Sequence, residues 1–458
     1  MSTPIKSETT VFNPFMTLNS TQKRIIASGV IGNFLENFDF MLCAFLAQFI
    51  AMTFLPPSSM VNNVFNIFSI FFIGYLSRPL GGLLIGLYAD QIGRKSALIF
   101  SIVMVGICTA IIGIIPSYQS IGILATLLFT FFRILQNICV GGEYISSIAY
   151  LIENADKRAR GFYGSWVSVG FNMGSLFASI LVFILIYFIE SNMLPTWSWR
   201  IIFIVSLFGT GVGFWIRRSL PESLEYIYEN ADGVVQKKRD ILRLAIHFIK
   251  TYPSRCFGIM TVAWLGVAET AAIFVYSPIH MTTINHFSQY QAMGINTISL
   301  LFLIPLIPIF GYLSDHYSKI KLLILSSFAF FILAIPYFMV LSSGNLKQIL
   351  TLKLLFCVPS ACYYAIAPVL ITESFPIRLR CTSLALIYQM TLSIAAGTTP
   401  LAMLYLANHT SRMTYSPGYY LIGCCILGLI GLRLLSAHKT DQIEVNHELF
   451  LTKPIEDL

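Results

Sequence analysis

Residues 25–55 read IIASGVIGNFLENFDFMLCAFLAQFIAMTFL, and the only charges in this run are Glu36 and Asp39. As a helix the run is long enough to cross a hydrocarbon core of about 30 Å. Its two acids, three residues apart, would project from one helix face. In a bilayer each acid costs at least about 2–3 kcal/mol unless it is paired, protonated or wetted. The chain is therefore either soluble with a very apolar core helix, or a membrane protein that keeps charge at depth for a reason.

Composition decides between these. The chain has 458 residues, 56% of them hydrophobic and 11% charged, with a mean hydropathy of +0.75. Soluble globules carry about 25% charged residues, so this chain has too little polar surface to cover one. Twelve apolar runs of spanning length lie near 25–52, 63–88, 96–115, 120–148, 161–188, 199–216, 256–279, 290–313, 322–342, 348–371, 382–407 and 418–437. None alternates in polarity as a barrel strand would, so all read as helices. The first run follows a polar stretch, contains two acids and lacks a small-residue cleavage site, so it reads as an uncleaved span.

Lys and Arg set the orientation. Arg94 and Lys95, then Lys157, Arg158 and Arg160, then Arg217, Arg218, Lys237, Lys238, Arg239 and Arg243, then Lys319 and Lys321, then Arg378 and Arg380 all fall on one side. That side is expected to be cytoplasmic, with both termini inside. The opposite side carries Lys347, Lys353 and Arg412, and His280 and His286 are expected in an outer loop. The net charge of +8 then reports topology and anionic headgroups. No basic stripe or reading motif points to nucleic acid. The nine cysteines show no metal-ligand spacing and read as small buried hydrophobes. HEXXH, Walker and GxSxG motifs are absent, so no enzyme, metal site or organic cofactor is expected.

The longest charged connection, residues 217–255, divides the spans six and six. The expected organisation is a cytoplasmic segment 1–24, a six-helix half 25–216, the linker 217–255, a second half 256–437 and a cytoplasmic tail 438–458. Internal repetition supports the division. GLYADQIGRK at 86–95 is echoed by GYLSDHYSKIK at 311–321, matching Gly86 to Gly311, Asp90 to Asp315 and Arg94 to Lys319. LIENADKRARG at 151–161 is echoed by ITESFPIRLRC at 371–381, matching Glu153 to Glu373 and Arg160 to Arg380. Parallel six-helix repeats with a substrate site between them characterise one large transporter class.

The strings GNFLENFDF, RPLGGLLIGLYADQIGRK, RILQNICVGGEY, WSWRIIFIVSLFGTGVGFWIRRSLPES and ESFPIRLRCTS followed by AAGTTP carry a family resemblance. The chain resembles the major facilitator superfamily, and within it the metabolite:proton symporters for citrate, 2-oxoglutarate, shikimate and proline or betaine. The resemblance implies an all-α membrane fold of twelve helices in two six-helix halves, driven by the proton gradient with no cofactor. It also implies that a first-helix acid and the RxxQ arginine, here Arg133 with Gln136, form a proton-linked pair. The GLYADQIGRK string, with Gly86, Asp90, Gly93, Arg94 and Lys95, would be a gate latch, or alternatively a local turn cap. Glu153, Arg160, Glu222, Asp315, Lys319, Glu373 and Arg380 would join the same cytoplasmic ion-pair belt.

Helix rise places Glu36, Asp39, Arg78 and Arg133 at a common depth of about 15–20 Å. Such groups usually mark a substrate or proton path, the alternative being a static network that fixes helix packing. Burial favours a neutral acid and a nearby guanidinium favours the carboxylate, so an acid beside an arginine can switch. Asp39 is the first choice for the proton and Glu36 for substrate or a second proton, with the reverse order open. Arg133 is favoured over Arg78 as the substrate carboxylate's contact because guanidinium presents a planar fork. Glu269, in the seventh span, is a cavity candidate with Tyr388 and Gln389, and Trp264, Tyr276, Tyr363 and Tyr364 are weighed there against plain packing.

These readings lead to a monomeric secondary transporter of the inner or plasma membrane, importing a small carboxylate-bearing metabolite with protons. The alternative is a proline/betaine-type zwitterion carrier, an exporter, or a transporter-like sensor. Some zwitterion carriers have long coiled-coil tails, whereas residues 438–458 show no heptads.

Overall fold

The computed structural model describes residues 20–82, 84–85, 94–140, 143–153, 155–156, 158–219, 249–374, 384–409 and 415–437. Among them helices stand at all twelve expected positions and no strand occurs. The first half holds α1 (Ser20–Phe45), α2 (Ala47–Phe54), α3 (Met60–Leu76), α4 (Arg94–Ile114), α5 (Ile123–Val140), α6 (Glu143–Glu153), α7 (Arg160–Glu190) and α8 (Trp199–Ser219). The second holds α9 (Pro253–Thr270), a π-helical stretch Ala271–Tyr276, α10 (Ser277–Thr283), α11 (Gln289–His316), α12 (Lys319–Ser343), α13 (Leu346–Glu373), α14 (Ala385–His409) and α15 (Pro417–Ala437). Ten described helices are long and apolar enough to cross a membrane, and the α1–α2 pair, bent by 62°, makes an eleventh. The shorter apolar helix Ile99–Ile114 takes the third place.

Local chemistry fixes the helix ends. The Ser59, Ser288 and Asn345 side chains cap α3, α11 and α13 by accepting first-turn amides, and Pro253 opens α9 where its missing N–H is no loss. Gly344 ends α12 in the left-handed conformation at φ 74°. Apolar side chains such as Phe208, Trp215 and Leu325 point outward, as lipid contact requires.

Lipid tails are as apolar as leucine, so spanning helices associate through close packing and interhelical hydrogen bonds. α7 meets α1 through Gly170 and Gly174, where an added Cβ would fall 2.4 Å from the Val30 and Phe34 carbonyl oxygens. Asn37 of α1 locks the pair by donating to Phe171 O and Ser175 Oγ, both at 2.6 Å. In the second half Gly258 of α9 and Gly431 of α15 play the same part.

The halves join along two seams, α7 with α11 and α3 with α14. At the Lys/Arg-rich end of the first seam, the Asp315 carboxylate accepts from Gly161 N at 2.6 Å and Phe162 N at 2.9 Å. These are first-turn amides of α7, which have no partner within their own helix. An acid from the second half thus caps a helix of the first, with the dipole favouring it. Lys319 adds an ion pair to Glu373 at 2.7 Å. Arg160 is half-buried at the start of α7. Farther along, Ser179 and Thr297 hydroxyls lie 2.8 Å apart. At the opposite end Glu190 accepts from Tyr290 N at 3.2 Å, and Gln48 of α2 donates to Thr282 of α10. The remaining gate candidates Gly86, Asp90, Gly93, Glu222 and Arg380 lie outside the described residues, as do 220–248 of the linker and residues 1–19 and 438–458. Arg94, Lys95 and Glu153 are helical.

Two sequence expectations are corrected here. His280 is fully buried, with the Tyr276 hydroxyl 3.0 Å from its Nδ1, because the seventh span continues through the π stretch to Thr283. Lys353 is also fully buried and donates to Asn296 Oδ1 at 2.8 Å, because α13 begins seven residues earlier, at Leu346.

Gly170→Leu should force α1 and α7 apart and cost about 1–3 kcal/mol, seen as a lower melting temperature in detergent. Gly423→Ala, with nothing within 4 Å of the added carbon, should leave it unchanged. Asp315→Ala should strip about 1–2 kcal/mol of capping from the closed seam. Spin labels at positions 158 and 317 should then show a roughly 5–30-fold richer separated population, and an unaltered distance distribution would remove Asp315 from the gate.

Candidate functional site

Between the halves lies a cavity containing about 1270 Å³ of space not filled by protein atoms. The first half contributes Glu36, Asn37 and Phe40 from α1, Phe68, Phe71 and Tyr75 from α3, Arg78 just beyond it, Tyr144 from α6 and Phe171 from α7. The second contributes Thr270 from α9, Tyr363 and Tyr364 from α13, and Tyr388 and Gln389 from α14. The charged side chains in this lining are Glu36 and Arg78, set among aromatic rings.

Arg78 is positioned by its surroundings. α3 ends in a turn at Ser77, whose hydroxyl reaches the Gly74 carbonyl at 2.6 Å and the Ile134 carbonyl at 3.1 Å. The arginine that follows donates from Nε to Asn137 Oδ1 at 2.9 Å. Its guanidinium lies 5.0 Å from the centroids of both Phe40 and Tyr75, within cation–π range. Asn137 is held in turn by donating to the Arg133 carbonyl at 2.8 Å.

Arg133 packs against the same Phe40 ring. It is fully buried, sits 5.2 Å from the Phe40 ring and 4.6 Å from the Phe71 ring, and donates from Nη1 to Gln136 Oε1 at 2.6 Å. Gln136 then donates to Thr109 Oγ1 at 2.8 Å. Arg133 and Gln136 are outside the cavity lining, separated from it by the two phenylalanines. The arginine favoured from sequence for substrate contact is therefore the covered one in this conformation, and Arg78 is the one that lines the cavity.

The two acids of α1 also part company. Glu36 lines the cavity. Asp39, three residues on, belongs with Ser101, Ser206 and Thr210 to a small pocket between α1, α4, α5 and α8. Glu36 borders both spaces. One face of one helix is thus divided between a solute-sized cavity and a separate polar pocket.

From the second half, Tyr388 stacks on Tyr144 with centroids 5.9 Å apart, and Gln389 is nearly fully buried at the wall. Tyr363 and Tyr364 line the cavity, whereas Trp264 and Tyr276 do not. Glu269 is fully buried behind the lining and accepts from Ser360 Oγ at 2.9 Å. Sequence reasoning does not single out Tyr75, Tyr144 or Phe171, since an aromatic in a span reads first as packing. The nearest signal is Tyr144's place at the end of the RILQNICVGGEY string. Among the described residues no group of His, Cys, Asp and Glu is arranged to hold a metal ion.

Comparison with known proteins agrees with this architecture. The family model described as Major Facilitator Superfamily matches residues 40–343 and 259–448. The proline/betaine transporter of Escherichia coli K12 is 29% identical over 414 residues, covering 89% of this chain and 82% of that protein. The glycine betaine/proline/ectoine/pipecolic acid transporter OusA of Dickeya dadantii is 27% identical over 413 residues, with the same coverage. Among solved structures, the proton:xylose symporter XylE bound to 6-bromo-6-deoxy-D-glucose superposes with a TM-score of 0.71 at 16% identity, covering 92% of this chain and 96% of that one. A model matching most of the sequence, joined to a helical bundle with its cavity between two halves, settles the family: the chain belongs to the major facilitator superfamily.

Proposed function

We propose that this multi-pass membrane protein is a proton-coupled plasma-membrane importer of a small zwitterion, a solute carrying both a carboxylate and a cationic nitrogen. The observation that carries the reading is that Arg78 and Glu36 line one cavity, with aromatic rings around them. The guanidinium offers a fork to the carboxylate, and Glu36 offers the opposite charge to the nitrogen. Faces of Tyr75, Tyr144 and Tyr388 suit a quaternary or secondary ammonium. The names of the E. coli and Dickeya relatives support this substrate class over the organic acid first expected from sequence. A polycarboxylate would gain Arg78 but would set further negative charge against Glu36.

Coupling follows from the division of the α1 acids. Glu36 takes the substrate side, and Asp39, in its own pocket, takes a proton. Arg133 shares the Phe40 ring with Arg78 but is outside the cavity lining, and is the charge to which an ionised first-helix acid would turn when the helices shift. The second-half latch at Asp315 and the Lys319–Glu373 pair would then hold the inner end closed in one state and release it in the other.

Uptake into proteoliposomes, with acid outside, should favour proline or glycine betaine over citrate or 2-oxoglutarate; preference for the acids would return the reading to a carboxylate importer. Arg78→Lys should weaken calorimetric binding of the transported solute by roughly 1.5–3 kcal/mol, the loss of a charge-assisted bond. Arg133→Lys should weaken it less, and the reverse order would move the carboxylate contact to Arg133. Asp39→Asn should lower accumulation driven by the gradient while leaving solute exchange, and undiminished accumulation would move the proton from Asp39.

A further inference from the structure

The acid that this scheme leaves unused is Glu269. It is the seventeenth residue of α9 as Glu36 is the seventeenth of α1, so each stands about 24 Å along the first helix of its half. The parallel repeat therefore sets one glutamate at matching depth on each side of the cavity. Glu36 faces the cavity directly. Glu269 is outside the lining, fully buried, and stands two residues before the π-helical stretch Ala271–Tyr276. Such stretches interrupt the regular ladder and recur at functional positions.

Its surroundings are hydroxyls, thiols and apolar groups. From α13, Ser360 donates to Oε2 at 2.9 Å, Oε1 has no hydrogen-bond partner among the described residues, and the Tyr364 phenol is near enough to interact electrostatically with the carboxyl. Cys357 and Tyr363 of the same helix and Cys425 of α15 are the other titratable groups that face it. α14, which also packs on α9, brings Tyr388 and Gln389 to the cavity wall. No Lys, Arg or His pairs with Glu269 among the described residues. A carboxylate buried in a spanning bundle without a cation is expensive, and the simplest neutralising partner is a proton.

A path for that proton is present. The Tyr364 hydroxyl lies 2.6 Å from Thr270 Oγ1, and both residues line the cavity. Hydroxyls that both donate and accept thus stand at the cavity wall beside the buried carboxyl.

We propose that Glu269 is a second proton-binding site, in the C-terminal half, loaded and unloaded from the cavity through Tyr364 and Thr270. The proton enters from the outer compartment as a bond to the carboxyl, crosses with the half-transporter, and leaves to water in the inner compartment. This rests on the proton-coupled reading above and adds a site to it. With Asp39 carrying one proton and Glu269 another, solute and two protons move together.

Proton and solute fluxes in proteoliposomes under a fixed pH gradient test the proposal. Each coupled proton is worth about a tenfold accumulation per unit of gradient, so Glu269→Gln should lower accumulation about tenfold and the proton:solute ratio by one, with exchange persisting. A carboxyl C=O infrared difference band on solute addition should vanish in Glu269→Gln and shift in Tyr364→Phe. Tyr364→Phe, which keeps the ring and the acid, should slow substrate-induced proton uptake and so serves if Glu269→Gln fails to fold. An unchanged ratio and band in Glu269→Gln, or unchanged uptake kinetics in Tyr364→Phe, would overturn the assignment. Loss of solute binding in Glu269→Gln would instead make Glu269 a substrate contact and also overturn it. Absence of gradient-driven accumulation by the unaltered protein would defeat proton coupling as a whole, a different result from either.

Discussion

Two guanidinium groups share the ring of Phe40, Arg78 at 5.0 Å and Arg133 at 5.2 Å. Holding two cations at mid-depth in a bilayer protein is the constraint around which the first half is built. Both guanidinium groups are buried, where a full water shell cannot solvate them. They are instead tied into a chain of amides and hydroxyls: Arg78 to Asn137, Asn137 to the Arg133 carbonyl, Arg133 to Gln136 and Gln136 to Thr109. That chain stitches the extension of α3 to α5 and α5 to α4. Removing any member leaves a neighbour buried with an unmet hydrogen bond, which costs more than the bond itself contributes.

The same need for satisfied polar groups explains how two halves can be held yet separable. In a lipid-facing bundle, close backbone approach and interhelical hydrogen bonds do the work that apolar collapse does in water. Within the first half the α1–α7 contact is glycine against backbone, with Asn37 bonded across it. Between halves, the contacts at the two ends of the first seam are polar: Asp315 on the α7 amides, Glu190 with the Tyr290 amide, Gln48 with Thr282. Interactions of this kind can be exchanged for water at an aqueous surface at modest cost. A seam made that way suits alternate opening at its two ends.

The aromatic wall around Glu36 and Arg78 follows from the sequence of α3 and α6 as much as from the charges. Tyr75, Tyr144 and Tyr388 present polarisable faces with hydroxyls at their edges, and Tyr144 is fixed by Ser168 at 3.1 Å and by stacking on Tyr388. That last contact crosses from one half to the other, so the wall exists only while the halves are apposed.

Much of this was legible in the sequence, for a physical reason. A bilayer imposes spanning length, apolarity and charge asymmetry on each segment separately, so the helices, their number and the repeat behind the two halves can be read segment by segment. The acids and arginines of the spans were legible too, since each stands out against an apolar background. What the sequence could not decide is which side of a ring a group lies on. Asp39 and Glu36 sit three residues apart, yet one faces Ser206 and the other the cavity; Arg133 is covered and Arg78 is not, because Phe40 and Phe71 come between. His280 and Lys353 looked like loop residues because a π-helical stretch and an early helix start moved the span ends. Helix rotation and register depend on packing against distant segments, through contacts such as Gly174 with Phe34 and Gly397 with Phe72, and these exist only once the tertiary structure has formed.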